Sequence, residues 1–230
     1  MKDLFTPDMM LSDMIDINFS LLQILPRVGM DLKYSGLKVS EACEKCGIDT
    51  RTFILICNVY SYPDLTPSEE EIEEEGDIDE IVRYLHGSHE FYTGHALSAL
   101  GSSMLSLLAD CDEKRKEAIM KFFYDYEAEL VKHFAYEEEV LFKYIADLKQ
   151  GKHGNGYSID NFEASHGNVE EKLVDMKNIV MKYLPSQCPD ELKTHTLLSI
   201  YLLLDDLHRH TFVENNILVP LVRNFENNGK

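Results

Sequence analysis

The stretches Lys132-His133-Phe-Ala-Tyr-Glu137-Glu-Glu-Val140 and Arg209-His210-Thr-Phe-Val-Glu214-Asn-Asn-Ile217 each set a histidine four residues before a glutamate, among apolar neighbours. Stepping outward by threes and fours, the spacing of a helix face, the first pair falls on a stripe of Ile119, Phe123, Tyr126, Leu130, His133, Glu137, Val140, Tyr144 and Leu148. The second falls on Thr196, Ile200, Leu203, Leu207, His210, Glu214, Ile217 and Leu221. Two more stripes carry one histidine each: Ile78, Val82, Leu85, His89, Tyr92, Ala96, Ala99, and Ile159, Phe162, His166, Val169, Leu173, Met176, Val180, Tyr183. Such a period, sustained through each segment, belongs to helices and not to strands.

An ionised glutamate on such a stripe needs a reason. Burying an unpaired carboxylate costs several kcal/mol, and it persists when protonated, ion-paired or bound to metal. No lysine or arginine lies on any of the four stripes. Histidine and glutamate four apart also project from one helix face, a turn apart, so both reach one centre. A single histidine in an apolar stripe is usually a hydrogen-bonded core residue. Six interruptions spread over four helices are a pattern, and they predict a metal site built from His89, His133, Glu137, His166, His210 and Glu214. Imidazole with carboxylate suits iron, manganese or zinc, and no stripe cysteine supports a thiolate site.

The other histidines fit less well. His86 is the alternative on the first helix, one turn before His89. His95, His195 and His208 fall one position off their stripes, and His153 sits in a glycine-rich turn. Tyr92 and Tyr126 read as aromatic core beside the proposed centre.

Working outward, the helices are expected over roughly 77–109, 112–149, 158–184 and 189–226, joined by short connections. Short connections predict an antiparallel up-down-up-down four-helix bundle. An acidic run, Pro67 to Gly76, separates this bundle from the N-terminal part, as a solvated linker or a charged helix start. The expected organisation is a small helical domain over 1–65, an acidic linker over 66–77 and the bundle over 78–230. In the small domain one helix is predicted from Met10 to Leu25, stopped by Pro26. A short helix follows over Val39 to Cys46, closed by Gly47 with Ser40 as a cap, and Thr50 is expected to cap a last helix that runs through Tyr60 and is ended by Pro63.

Composition narrows the function classes. Among 230 residues, 41 acidic against 22 basic leave a net charge of −19, which repels phosphate backbones. Nucleic acid is therefore not an expected partner, and the short helices over Val39 to Tyr60 carry too few basic residues for a DNA-reading motif. No apolar run is long enough for a membrane span and no signal peptide opens the chain, so a soluble cytoplasmic protein is expected. Five cysteines fit a reducing compartment, and Cys43-Glu-Lys-Cys46 has no matching second pair for zinc.

The segments His133-Phe-Ala-Tyr-Glu137-Glu-Glu-Val-Leu-Phe142 and Asp205-Asp-Leu-His-Arg-His210-Thr-Phe-Val-Glu214-Asn-Asn-Ile-Leu-Val-Pro220 resemble the hemerythrin-like domains of the repair-of-iron-centres family. The resemblance implies a non-haem di-iron centre, oxo- or hydroxo-bridged, with a histidine from each helix and bridging glutamates. It carries over to His133, Glu137, His166, His210 and Glu214, with His89 completing the set. It further implies a role in nitrosative or oxidative stress, supporting iron–sulfur cluster repair, with oxygen or nitric oxide as the small ligand. Two departures are visible. The position four after His166 is Glu170, where oxygen-carrying hemerythrin has another histidine. The stretch Met30 to Gly36 carries Lys33 and Tyr34 where the repair family has adjacent cysteines. Without that pair, the alternative expectation is an oxygen or nitric oxide sensor whose N-terminal module signals to a protein partner.

Overall fold

The computed structural model describes residues 4–152, 156–165, 169–185 and 188–228, with the side chains of 163–165 and 228 excepted. Among them every regular element is a helix and no strand forms, only an isolated antiparallel bridge between Met10 and Lys38. It divides into two compact units: residues 1–88, 144–164 and 209–230, and residues 89–143 and 165–208.

The first unit begins with α1 (Leu11–Ile17), a 3-10 turn (Phe19–Gln23) and α2 (Ile24–Arg27) where one helix was expected. The break is at Asn18, which is extended at φ −142 and ψ 98. Its side chain accepts from the Ser20 N–H and donates to Ser61 Oγ at 2.8 Å, so local hydrogen bonds outcompete the continuing helix. Pro26 lies within the first turn of α2, where a missing N–H is tolerated. Helix α3 (Val39–Cys46) has the expected bounds, and Gly47 closes it at φ 67, in the left-handed region that favours glycine. Its N-terminal position is Lys38, not Ser40.

Helix α4 (Thr50–Ser61) is capped by Asp49, which accepts from the Thr52 N–H at 2.9 Å. Every side chain from Thr52 through Tyr60 is buried, so α4 forms the centre of this unit. The acidic run folds as α5 (Glu69–Glu75), started by a capping box between Ser68 and Glu71, with Ile72 buried. Thr52 joins the two helices. Its hydroxyl lies 2.8 Å from the Glu75 carbonyl and accepts from the Asp77 N–H at 2.9 Å.

Helix α6 (Ile78–Phe91) leads through a π turn (Tyr92–Ala96) into α7 (Leu97–Leu107). Helix α8 (Glu113–Tyr136), capped by Asp112, passes through a second π turn (Glu137–Phe142) into α9 (Lys143–Lys149). Then come α10 (Ile159–Ser165), α11 (Glu171–Asn178) and a π turn (Ile179–Tyr183). The last helix, α12 (Asp190–Val213), passes through a fourth π turn (Glu214–Leu218) into α13 (Val219–Asn228).

In the second unit α8 packs against both α7 and α11. Its core joins Leu100, Met104, Phe123, Tyr126, Leu130, Leu173, Met176, Ile200 and Leu207. Gly101 admits the ring of Phe123: a Cβ there would lie 2.9 Å from it. Among the described residues no helix is long and apolar enough to cross a membrane.

Candidate metal centre

The π turns shape the site. A π turn wraps one extra residue into the helix, and such turns recur at functional positions. Here Glu137 and Glu214 are each the first residue of one, and a third begins three residues after His89. The extra residue also shifts the apolar stripe after Tyr92 and Glu137, whereas beyond Glu214 the expected Ile217 and Leu221 stay buried. Beyond Glu137 the buried residues are Leu141, Phe142, Ile145 and Leu148, of which only Leu148 was on the expected stripe, while Val140 and Tyr144 are only half-buried. Beyond Tyr92 they are Leu97 and Leu100, in place of Ala96 and Ala99. Tyr183, expected on the third stripe, is 71% exposed because the helix ends there in a π turn.

Before the slip, the stripes deliver the side chains inward. Glu137 and Glu214 are fully buried, His210 is 1% exposed and His89 is 4% exposed. The two oxygens of Glu137 face two imidazoles from different helices: Oε2 is 3.0 Å from His89 Nε2, and Oε1 is 2.8 Å from His133 Nε2. Glu214 Oε1 lies 3.2 Å from His210 Nε2 on its own helix. One potential ligand atom each from His89, Glu137, His210 and Glu214 falls in a single group, all within 4.8 Å of one another.

Electrostatics give that group a direction. Two ionised carboxylates at that separation repel by on the order of 3 kcal/mol at an effective dielectric near 20. Their burial adds a desolvation cost that grows as water is excluded. A divalent cation between them reverses both effects. Two imidazoles and two carboxylates in a dry site are a donor set for iron, manganese or zinc, so the residues present fit such an ion.

Glu138 was not expected. Its Oε1 lies 2.7 Å from Nδ1 of His89, the arrangement in which a carboxylate fixes the tautomer and ring orientation of a metal-facing imidazole. In sequence it reads as one more glutamate in a solvated run. The rings of Phe134 and Phe142 stack on His89 at centroid distances of 4.4 and 5.6 Å. Asp206, also passed over in favour of Leu207, is buried one turn before His210.

His133 contacts Glu137 with a side chain 13% exposed and stands outside the four-residue group. His166 and His153 lie outside the described residues. His86 is exposed, so of the two candidates on α6 the structure brings His89 to the group. His95 and His195 are exposed, and His208 is exposed with Nδ1 3.4 Å from Glu170 Oε1. Tyr92 and Tyr126 are buried. The Tyr126 hydroxyl has no hydrogen-bond partner among the described residues, and burial pushes its ionisation well above the usual phenol range.

No curated protein matches the chain. The family model described as the hemerythrin HHE cation binding domain matches residues 95–222. That span holds His133, Glu137, His166, His210 and Glu214 and begins after His89, whose place in the group therefore rests on the geometry alone. The match covers more than half of the chain, which accordingly belongs to the hemerythrin HHE cation-binding family.

Proposed function

We propose that this cation-binding protein is a non-haem di-iron protein of the nitrosative and oxidative stress response, supporting iron–sulfur cluster repair. Its ligands are His89, His133, Glu137, His166, His210 and Glu214, on helices running up-down-up-down. The observation that carries this reading is the buried group of His89, Glu137, His210 and Glu214. Glu137 turns one oxygen toward each of two imidazoles, so it would hold metal together with His89 and His133. Bound iron would supply a redox-active centre for a small ligand such as oxygen or nitric oxide.

The protein's own part is orientation and exclusion of water. Glu138 holds His89 by Nδ1, leaving Nε2 for the centre. Phe134 and Phe142 cover the imidazole faces, which lowers the local dielectric and strengthens every charge interaction inside.

A second reading, a sensor that signals to a protein partner, is favoured by one specific observation. Residues next to two of the histidines contact the N-terminal helices. Arg209, beside His210, donates through Nη1 to the Tyr60 carbonyl, and its guanidinium lies 5.0 Å from the Tyr60 ring centre. Ser88, beside His89, accepts from Arg27 Nη1 at 3.4 Å, and Gly87 lets the Arg27 carbonyl approach. A shift of either histidine on ligand binding has a short route to the N-terminal helices.

Metal content per chain on protein purified without oxygen, with an absorption spectrum after air exposure, tests the proposal. Two irons per chain with near-ultraviolet charge-transfer bands support it. No stoichiometric metal after ferrous reconstitution overturns it.

A further inference from the structure

Two of the five cysteines, distant in sequence, meet inside the second unit. Cys111 precedes the cap of α8 and Cys188 precedes α12 by two residues; they are 77 positions apart with their sulfurs 3.2 Å from each other. Both thiols are buried, Cys111 at 7% and Cys188 at 1% exposure. Neither lies on a stripe or takes part in the metal group. Along α8 the pair stands about 30 Å from His133 at 1.5 Å per residue.

We propose that Cys111 and Cys188 are a modification site: a thiol pair that peroxide converts to an intramolecular disulfide, fastening the start of α8 to the start of α12. Cys111, the more exposed, attacks hydrogen peroxide, forming a sulfenic acid and releasing hydroxide, which takes up the thiol proton as water. The Cys188 sulfur then displaces the sulfenic oxygen, forming the S–S bond and releasing a second water. Two thiols lose two electrons and two protons, and one peroxide becomes two waters.

Burial pushes the Cys111 thiol up to about 11, with the contact to Cys188 adding to the shift. The thiolate is the attacking form, so the site stays reduced at neutral pH under mild conditions. Its oxidation accelerates about tenfold per pH unit below that value. Closing so long a loop constrains the unfolded chain, and the melting temperature should rise on the order of 10 °C.

The full chain, reduced and then treated with hydrogen peroxide, is alkylated and mapped by mass spectrometry, both as purified and after metal removal. The expected result is a loss of about 2 Da, a peptide pair joined at Cys111 and Cys188, and recovery by dithiothreitol. Formation in both samples separates this site from the metal reading, since it needs no iron. C111S and C188S each abolish the joined pair, and the wild-type map stands even where a variant fails to fold. Cys111 and Cys188 both remaining alkylatable after Cys46 has oxidised overturns the proposal, as does a bridge between other cysteines or sulfinic acid on Cys111 with Cys188 free.

Discussion

Glu138 Oε1 lies 2.7 Å from Nδ1 of His89, on the side of the ring away from the Nε2 that faces Glu137. The imidazole is held from behind, in the tautomer that leaves Nε2 for a metal. Loss of such a partner typically costs 10- to 100-fold in metal affinity, in order of magnitude. E138A is therefore expected to release metal on the order of ten times more readily in a chelator competition. E138Q keeps an oxygen for the Nδ1 proton and should recover part of that loss. Equal affinities for wild type and E138A, with the fold intact by circular dichroism, would remove Glu138 from this role.

Glu137 and Glu214 are fully buried and belong to the same four-residue group. Truncating either removes a charge that the metal needs and the metal-free protein does not. E137A and E214A are expected to purify with little or no metal. In chelated protein the same variants lose the desolvation cost of a buried carboxylate but leave its imidazole partners without it, so their thermal stability should stay close to that of the chelated wild type. Chelating the wild type should lower its melting temperature, since a ligand bound only to the native state stabilises it by mass action. Full metal loading of both variants would show that these carboxylates have another task.

Of the six residues expected at the site, His89, Glu137, His210 and Glu214 meet in one group, His133 stands outside it and His166 lies outside the described residues. Histidine and glutamate four apart on an apolar stripe carry their chemistry in residue type, and burial of Glu137, His210 and Glu214 follows from their spacing alone. The π turns leave no such mark, because the sequence gives no residue type to an extra residue in a turn. They explain why Val140 was placed inward and Leu141 was not. The difference is measurable. L141A removes a fully buried side chain and is expected to destabilise the protein by about 2–5 kcal/mol, whereas V140A at a half-buried position should cost under about 1 kcal/mol. Urea denaturation of the two variants decides it, and equal losses would mean the stripe does not slip after Glu137. Glu138 and the cysteine pair were hidden for another reason: their partners are distant in sequence, and only the fold brings them together.

Gly87 and Arg209 mark the two places where the chain beside a candidate ligand contacts the N-terminal helices. A Cβ on Gly87 would lie 2.4 Å from the Arg27 carbonyl oxygen, so G87A forces the backbones apart. The expected cost is about 1–3 kcal/mol, as for other overpacked contacts. Arg209 is the gentler probe, since R209A removes the bond to the Tyr60 carbonyl and the contact with its ring without adding bulk. If ligand state reaches the N-terminal helices, protease cleavage within 66–77 should differ between protein with and without nitric oxide, and R209A should abolish that difference while retaining its metal. Identical cleavage in wild type in the two states, at full metal loading, rules out the sensor reading and leaves the stress-response reading standing. A difference that survives in R209A would place the route through Arg27 and Ser88 instead, and R27A should then abolish it.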